Sequence, residues 1–131
     1  MARGDGGVGR RGRRQRLSRS ADFDRVYREG RSHATRHLVL HAFPREGGEA
    51  DPRLGVSVGR KVGGAVERNR VKRLLREAFW AVAPELPKHH DFVLVARPEA
   101  RALAREGGEA EIEAALRELV RSSGLTTREA A

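Results

Sequence analysis

Apolar positions along the chain switch repeatedly between helical and strand patterns, and the pattern predicts six elements. In "SADFDRVYREG" Phe23, Val26 and Tyr27 recur at i, i+3 and i+4, which predicts a short helix with one apolar stripe. Ser20 stands at its start as an N-cap, Asp22 and Asp24 favour the dipole of the first turn, and Gly30 offers a stop. The next segment, "TRHLVLHAF" (35–43), alternates as a strand does, with Leu38, Leu40 and Ala42 on one side and His37, Val39, His41 and Phe43 on the other. After a turn, "PREGGEADP", the run "RLGVSVG" alternates again: Leu54, Val56 and Val58 oppose Gly55, Ser57 and Gly59. The two runs predict an antiparallel hairpin with one buried face. Gly63-Gly64 then opens a helix over about 65–82, ending before Pro84. "HDFVLVAR" (90–97) is apolar on both faces, as a central, doubly covered strand is. Gly107-Gly108 precedes a last helix over about 109–122, whose stripe is Ile112, Ala115, Leu116, Leu119 and Val120. The order helix, strands, helix, strand, helix predicts an α+β sandwich on one sheet.

The face of "RLGVSVG" that carries Gly55, Ser57 and Gly59 leaves room for something to approach the backbone. Close packing of a helix would use that room. A groove is the favoured reading, because Arg60 and Lys61 follow at once.

Composition places limits on this picture. A chain of 131 residues suits one domain with ragged ends, here 20–122, between a basic Gly/Arg-rich tail (1–19) and a flexible C-terminal tail (123–131). Residues 1–19 hold five Gly and seven Arg and too little apolar surface to offset ordering, so the tail is expected to be disordered. There is no cysteine, which removes disulfides and thiolate chemistry and fits a reducing compartment. No apolar run approaches the roughly 20 residues of a membrane helix, and the basic N-terminus lacks the apolar segment of a signal peptide. The expectation is a soluble, cytoplasmic protein. Its net charge of +9 is lopsided: residues 1–80 hold 20 Lys/Arg against 9 Asp/Glu, and residues 81–131 hold 7 against 9. Such asymmetry points to a polyanionic partner, and the preponderance of Arg over Lys favours phosphate and base contacts.

The charge concentrates in "GRKVGGAVERNRVKRLLREAF" (59–79), with seven cations and two acids. At 100° per residue, Val71, Leu74, Leu75, Ala78 and Val82 fall within about 100° of arc and must face the sheet. Asn69, Lys72, Arg73 and Arg76 fall opposite, Arg68 at their border and Arg70 on the other flank. Arg68, Lys72 and Arg76 stack at i, i+4, where like charges destabilise a helix by a few tenths of a kcal/mol per pair. A solvated charged face normally mixes signs; this one does not. Phosphates laid along it would replace repulsion with attraction and release counterions. Asn69 adds a donor and an acceptor able to reach a base edge or a 2′-hydroxyl.

At these residues the chain resembles the protein subunit of bacterial ribonuclease P. The family's pattern K-x-G-x-A-V-x-R-N-x-x-K-R-x-x-R is matched by Lys61, Gly63, Ala65, Val66, Arg68, Asn69, Lys72, Arg73 and Arg76. "ADFDRVYREG", "LGVSVGRK" and "DFVLVAR" are similar to its first helix, third strand and last strand, so that the resemblance covers roughly residues 16–122; the basic N-terminus is outside the usual pattern. The resemblance implies an αβββαβα two-layer α/β sandwich with a mixed four-stranded sheet and a left-handed βαβ crossover, like the second domain of ribosomal protein S5. It implies binding to a large catalytic RNA, in a complex that cleaves precursor tRNA to free its 5′ leader. The RNA performs the chemistry and holds the Mg²⁺; the protein supplies no catalytic residue and no metal site, and needs no membrane or obligate protein partner. Carried over residue by residue, Arg68, Asn69, Arg70, Lys72, Arg73 and Arg76 would contact the RNA subunit. Phe23, Tyr27, Ser57, Arg60 and Lys61 would line a cleft for the single-stranded leader, where aromatic faces accept any base beside cations that track phosphates. Ordinary core packing is the competing reading of Phe23 and Tyr27.

Two other functions fit parts of the chain. A protein-only nuclease would use His37 and His41, but these are about 13 Å apart along a strand, too far to share one phosphate. His89 and His90 read as loop residues. A general ribosomal or chaperone-like RNA binder fits the composition equally well.

Overall fold

The computed structural model describes residues 15–17, 19–47 and 50–125. Its elements are β1 (Gln15–Arg16), α1 (Ser20–Glu29), β2 (Arg31–Ala34), β3 (Leu38–Pro44), β4 (Arg53–Val58), α2 (Ala65–Val82), β5 (His90–Ala96) and α3 (Ala100–Ser123). One sheet runs β1-β4-β5-β3-β2. β5 pairs antiparallel with β3 and parallel with β4, and β1 adds parallel to the far edge of β4. The architecture is the expected α+β sandwich on a mixed sheet, with a fifth, two-residue strand.

The main core lies between the sheet and the pair α2 and α3. Leu38, Leu40 and Ala42 of β3, Leu54 and Val58 of β4 and Phe92, Leu94 and Ala96 of β5 meet Val71, Leu74, Leu75, Ala78 and Val82 of α2 and the stripe of α3. Phe79, outside the stripe read from the sequence, is fully buried there as well. α1 crosses the opposite face over a smaller cluster, in which Leu17, Val26 and Val93 are buried and Phe23, Phe43 and Val95 partly so.

The predicted β3–β4 hairpin does not form. β5 lies between the two strands and bonds to both. Its Phe92, Val93 and Leu94 are each fully buried, and the strand most apolar on both faces takes the position covered on both. β3 pairs instead with β2, through a turn in which Thr35 N–H reaches the Leu38 carbonyl and Leu38 N–H donates to Thr35 Oγ1. Thr35, Arg36 and His37 belong to that turn and not to the strand predicted over 35–43.

Three boundaries shift. α1 is capped by Arg19, without a side-chain bond, and Ser20 is its first helical residue. Residues 15–17, assigned from the sequence to a disordered tail, form β1 and its continuation: Leu17 is buried and its N–H donates to the Leu54 carbonyl. The remainder of that tail lies outside the described residues, as do 126–131. α3 starts at Ala100 rather than near 109; Gly108 (φ 59°, ψ −138°) breaks it into two helical segments, a backbone state that favours glycine.

A buried ionic cluster holds the start of β5. Asp91 is fully buried. It accepts bonds from Arg45 Nη1 at 3.0 Å and from Arg53 Nε and Nη2 at 2.9 and 2.7 Å. Arg53 also lies 3.8 Å from Asp22 of α1, and Arg45 donates to the Asp51 carbonyl, so that β4, β5, α1 and the 45–52 loop share one charge cluster.

Candidate nucleic-acid interface

α2 spans the predicted 65–82, and burial of its apolar stripe fixes where its cations point. Gly64 caps it with no side-chain bond, and Arg68 N–H makes the first intrahelical bond, to Gly64. The N–H groups of the preceding turn are thus free of intrahelical partners and favour an anion. Asn69 and Arg73 are exposed, and Arg68 and Lys72 are partly exposed beside them. Arg70 points the other way and donates to the Ala104 carbonyl of α3 at 3.2 Å.

One carboxylate of the same helix is taken. Glu67 receives Arg101 at 3.0 Å and Arg105 at 3.9 Å, both from α3. Among the described residues Arg68, Lys72, Arg73 and Arg76 make no ion pair, and Arg68 Nε is buried without an acceptor. An outward, single-sign face of this kind is matched by a polyanion.

On the other side of the sheet, α1 lies along one row of residues. Phe23 packs onto Gly55, where a Cβ would fall 2.5 Å from the ring's Cζ. Tyr27, 40% exposed, meets His41 edge-on with centroids 4.6 Å apart. Gly55, Val93 and His41 are neighbours in register, so α1 crosses the strands along that row. Burial lowers the pKa of His41. The next row of the same face, Ser57, Val95 and Val39, is only partly covered. Arg60 and Lys61 are exposed in the turn of 3-10 helix Arg60–Val62 that follows β4. The Gly/Ser face therefore serves both readings taken from the sequence: Gly55 receives a helix side chain, and Ser57 borders open space.

Arg76 departs from its expected place. It does not project opposite the sheet with Arg73. It reaches the β4 edge and lines an open cleft of ≈ 310 Å³ with Arg16, Leu17, Phe23, Leu54, Gly55 and Val56. Burial, and secondarily the charge of Arg16, lower its pKa. The cationic flank of α2 and the cleft under α1 therefore meet at one sheet edge. Arg16 was missed because it sits among the tail arginines; the one signal was Leu17, an isolated apolar residue after a polar run. The histidines do not assemble: His37 is in a turn, His41 is under Tyr27, His89 is in a loop at φ 58°, and His90 begins β5 stacked on Phe92. Among the described residues no helix is long and apolar enough to cross a membrane.

The family model described as Ribonuclease P matches residues 12–120. The ribonuclease P protein component of Shouchella clausii is 43% identical over 90 residues, covering 69% of this chain and 73% of that one. The structure of the Staphylococcus aureus RNase P protein superposes with a TM-score of 0.72 at 30% identity, over 84% of this chain and 95% of that one. The RNase P protein from Thermotoga maritima gives 0.69 at 31%, over 82% and 97%.

Proposed function

Since the chain belongs to the ribonuclease P protein family, we propose that its two cationic surfaces divide the work of that family, α2 holding the catalytic RNA and the α1 cleft holding the 5′ leader of precursor tRNA. The family's role is that of the RNA-binding accessory subunit in tRNA 5′ processing, within a holoenzyme that is an endoribonuclease. Arg68, Asn69, Lys72 and Arg73 contact the RNA subunit, and Arg70 flanks them from the α3 side. Phe23, Tyr27, Ser57, Arg60 and Lys61 receive the single strand, the rings stacking on bases and the cations following phosphates. Mg²⁺ stays with the RNA, which performs the hydrolysis, and the complex works in the cytoplasm.

The observation that carries this reading is the cation-rich face of α2, beside which Glu67 is engaged by α3. Bound phosphates supply the countercharge that the fold withholds. The test is reconstitution with the catalytic RNA. The protein alone should leave precursor tRNA intact and should lower the Mg²⁺ the RNA requires at low salt. Cleavage by the protein alone would establish a protein nuclease instead, and no effect on the RNA would leave a general RNA binder.

A further inference from the structure

We propose that Arg16 and Arg76 form a two-guanidinium clamp for a single phosphodiester at the β4 edge, joining the α2 face to the leader cleft. This assignment rests on the RNA-binding reading above and adds a site to it.

The two residues come from different elements, and Arg16, in register with the main-core residue Leu54, lies on the α2 side of the sheet. Arg76 reaches the edge from α2, on the main-core side of the sheet. Arg16 belongs to β1, which pairs with β4 only at Arg53 and Leu54. Where β1 ends, Gly55 and Val56 line the cleft, and the two arginines flank them. Among the described residues no carboxylate lines this space. Two acidic groups of the neighbouring strands and helix are occupied: Asp91 by Arg45 and Arg53, Asp22 by Arg25 and Arg53. Among the described residues neither Arg16 nor Arg76 has an ion-pair or hydrogen-bond acceptor.

Like charges brought together, with Arg76 partly withdrawn from water, oppose folding unless an anion joins them. A guanidinium presents paired N–H groups, and each of the two non-bridging oxygens of a phosphodiester accepts more than one hydrogen bond, so two guanidinium groups can share one phosphate. The rest of the cleft is apolar, Leu17, Leu54, Val56 and the Phe23 ring, which suits a sugar and a base and not a second charge. The ligand class is therefore a nucleotide unit within an RNA strand.

The test is a double-mutant cycle in the full chain, reading salt-dependent affinity for the catalytic RNA, for precursor tRNA in the holoenzyme, and for mature tRNA as reference. R16Q and R76Q should each weaken binding about tenfold and reduce the slope of log K against log salt by about 0.7–0.9, the value for one phosphate. The double variant should lose far less than the hundredfold expected of independent contacts, with its slope still lowered by about one phosphate. Loss confined to precursor tRNA assigns the phosphate to the leader; loss with the catalytic RNA alone assigns it to that RNA. R16K and R76K, which keep charge and stem without the fork, should fall between. The free R16Q and R76Q proteins should melt no lower than the parent, since each relieves repulsion. Additive losses, a two-phosphate change in slope, or unchanged affinity would overturn the clamp. R68Q and K72Q separate its failure from that of the wider reading: if they weaken RNA binding while R16Q and R76Q do not, only the clamp falls.

Discussion

Arg53 lays its guanidinium edge-on against Asp91, Nε and Nη2 meeting Oδ1 and Oδ2 at 2.9 and 2.7 Å. The carboxylate is fully buried and the guanidinium partly open, so the pair joins two parallel strands at the boundary between core and solvent. Asp91→Asn would remove the charge facing both guanidinium groups and, with the amide oxygen keeping the bonds of Arg45 Nη1 and Arg53 Nε, replace the oxygen that accepts from Arg53 Nη2 with an N–H donor. Breaking a buried pair from one side is strongly destabilising, and the expected loss is about 3 kcal/mol by urea unfolding. A loss below about 1 kcal/mol would show that the arginines find water or Asp22 instead.

Arg68→Ala and Lys72→Ala remove cations that have no ion-pair partner among the described residues. Each should weaken binding of the catalytic RNA about tenfold and lower its salt slope by about 0.9, with the unfolding free energy unchanged within about 0.5 kcal/mol. An unaltered slope would place these side chains away from phosphate.

Tyr27 exposes part of its ring while its edge contacts His41. Tyr27→Ala should weaken precursor tRNA by about 1–3 kcal/mol, the worth of one stacked base, and leave mature tRNA nearly untouched. Equal losses for the two would mean that the ring packs α1 without meeting the leader.

His41 is partly desolvated, which disfavours its charged form and holds its folded pKa below the ordinary 6.5. Below that value the unfolded chain binds the proton more readily than the folded one. His41 therefore contributes stability that is complete above about pH 6.5 and declines as the pH falls toward the folded pKa. Melting followed from about pH 8 to about pH 5 should decline less in His41→Asn than in the parent; parallel curves would mean that His41 titrates alike in both states.

The elements legible from sequence were those with long, unambiguous periods. α2 kept its predicted bounds because five apolar positions on one face leave no other register, and β5 was central because both of its faces are apolar. Strand order was not legible: β3 and β4 both alternate and lie near each other in sequence, and nothing local says that a third strand comes between them. Periodicity does not show β2, because Arg31, Ser32, His33 and Ala34 carry no alternation, and only the family resemblance implies a strand before β3; its pairing with β3 holds it. The first half of α3 was hidden by Gly107-Gly108, which reads as a start and is a kink. The α2 face was readable because helical spacing alone arranges it. Arg76 was misplaced because spacing gives an angle around the helix axis and not how far a long side chain bends around a sheet edge.

The shortness of β1 has one more consequence. Two residues shield the outer edge of β4 at Arg53 and Leu54, where the strand would otherwise offer a ready template to another molecule. A chain shortened past Arg16 would bare that margin, and its expected fate is self-association through exposed β-strand ends well before any loss of the core.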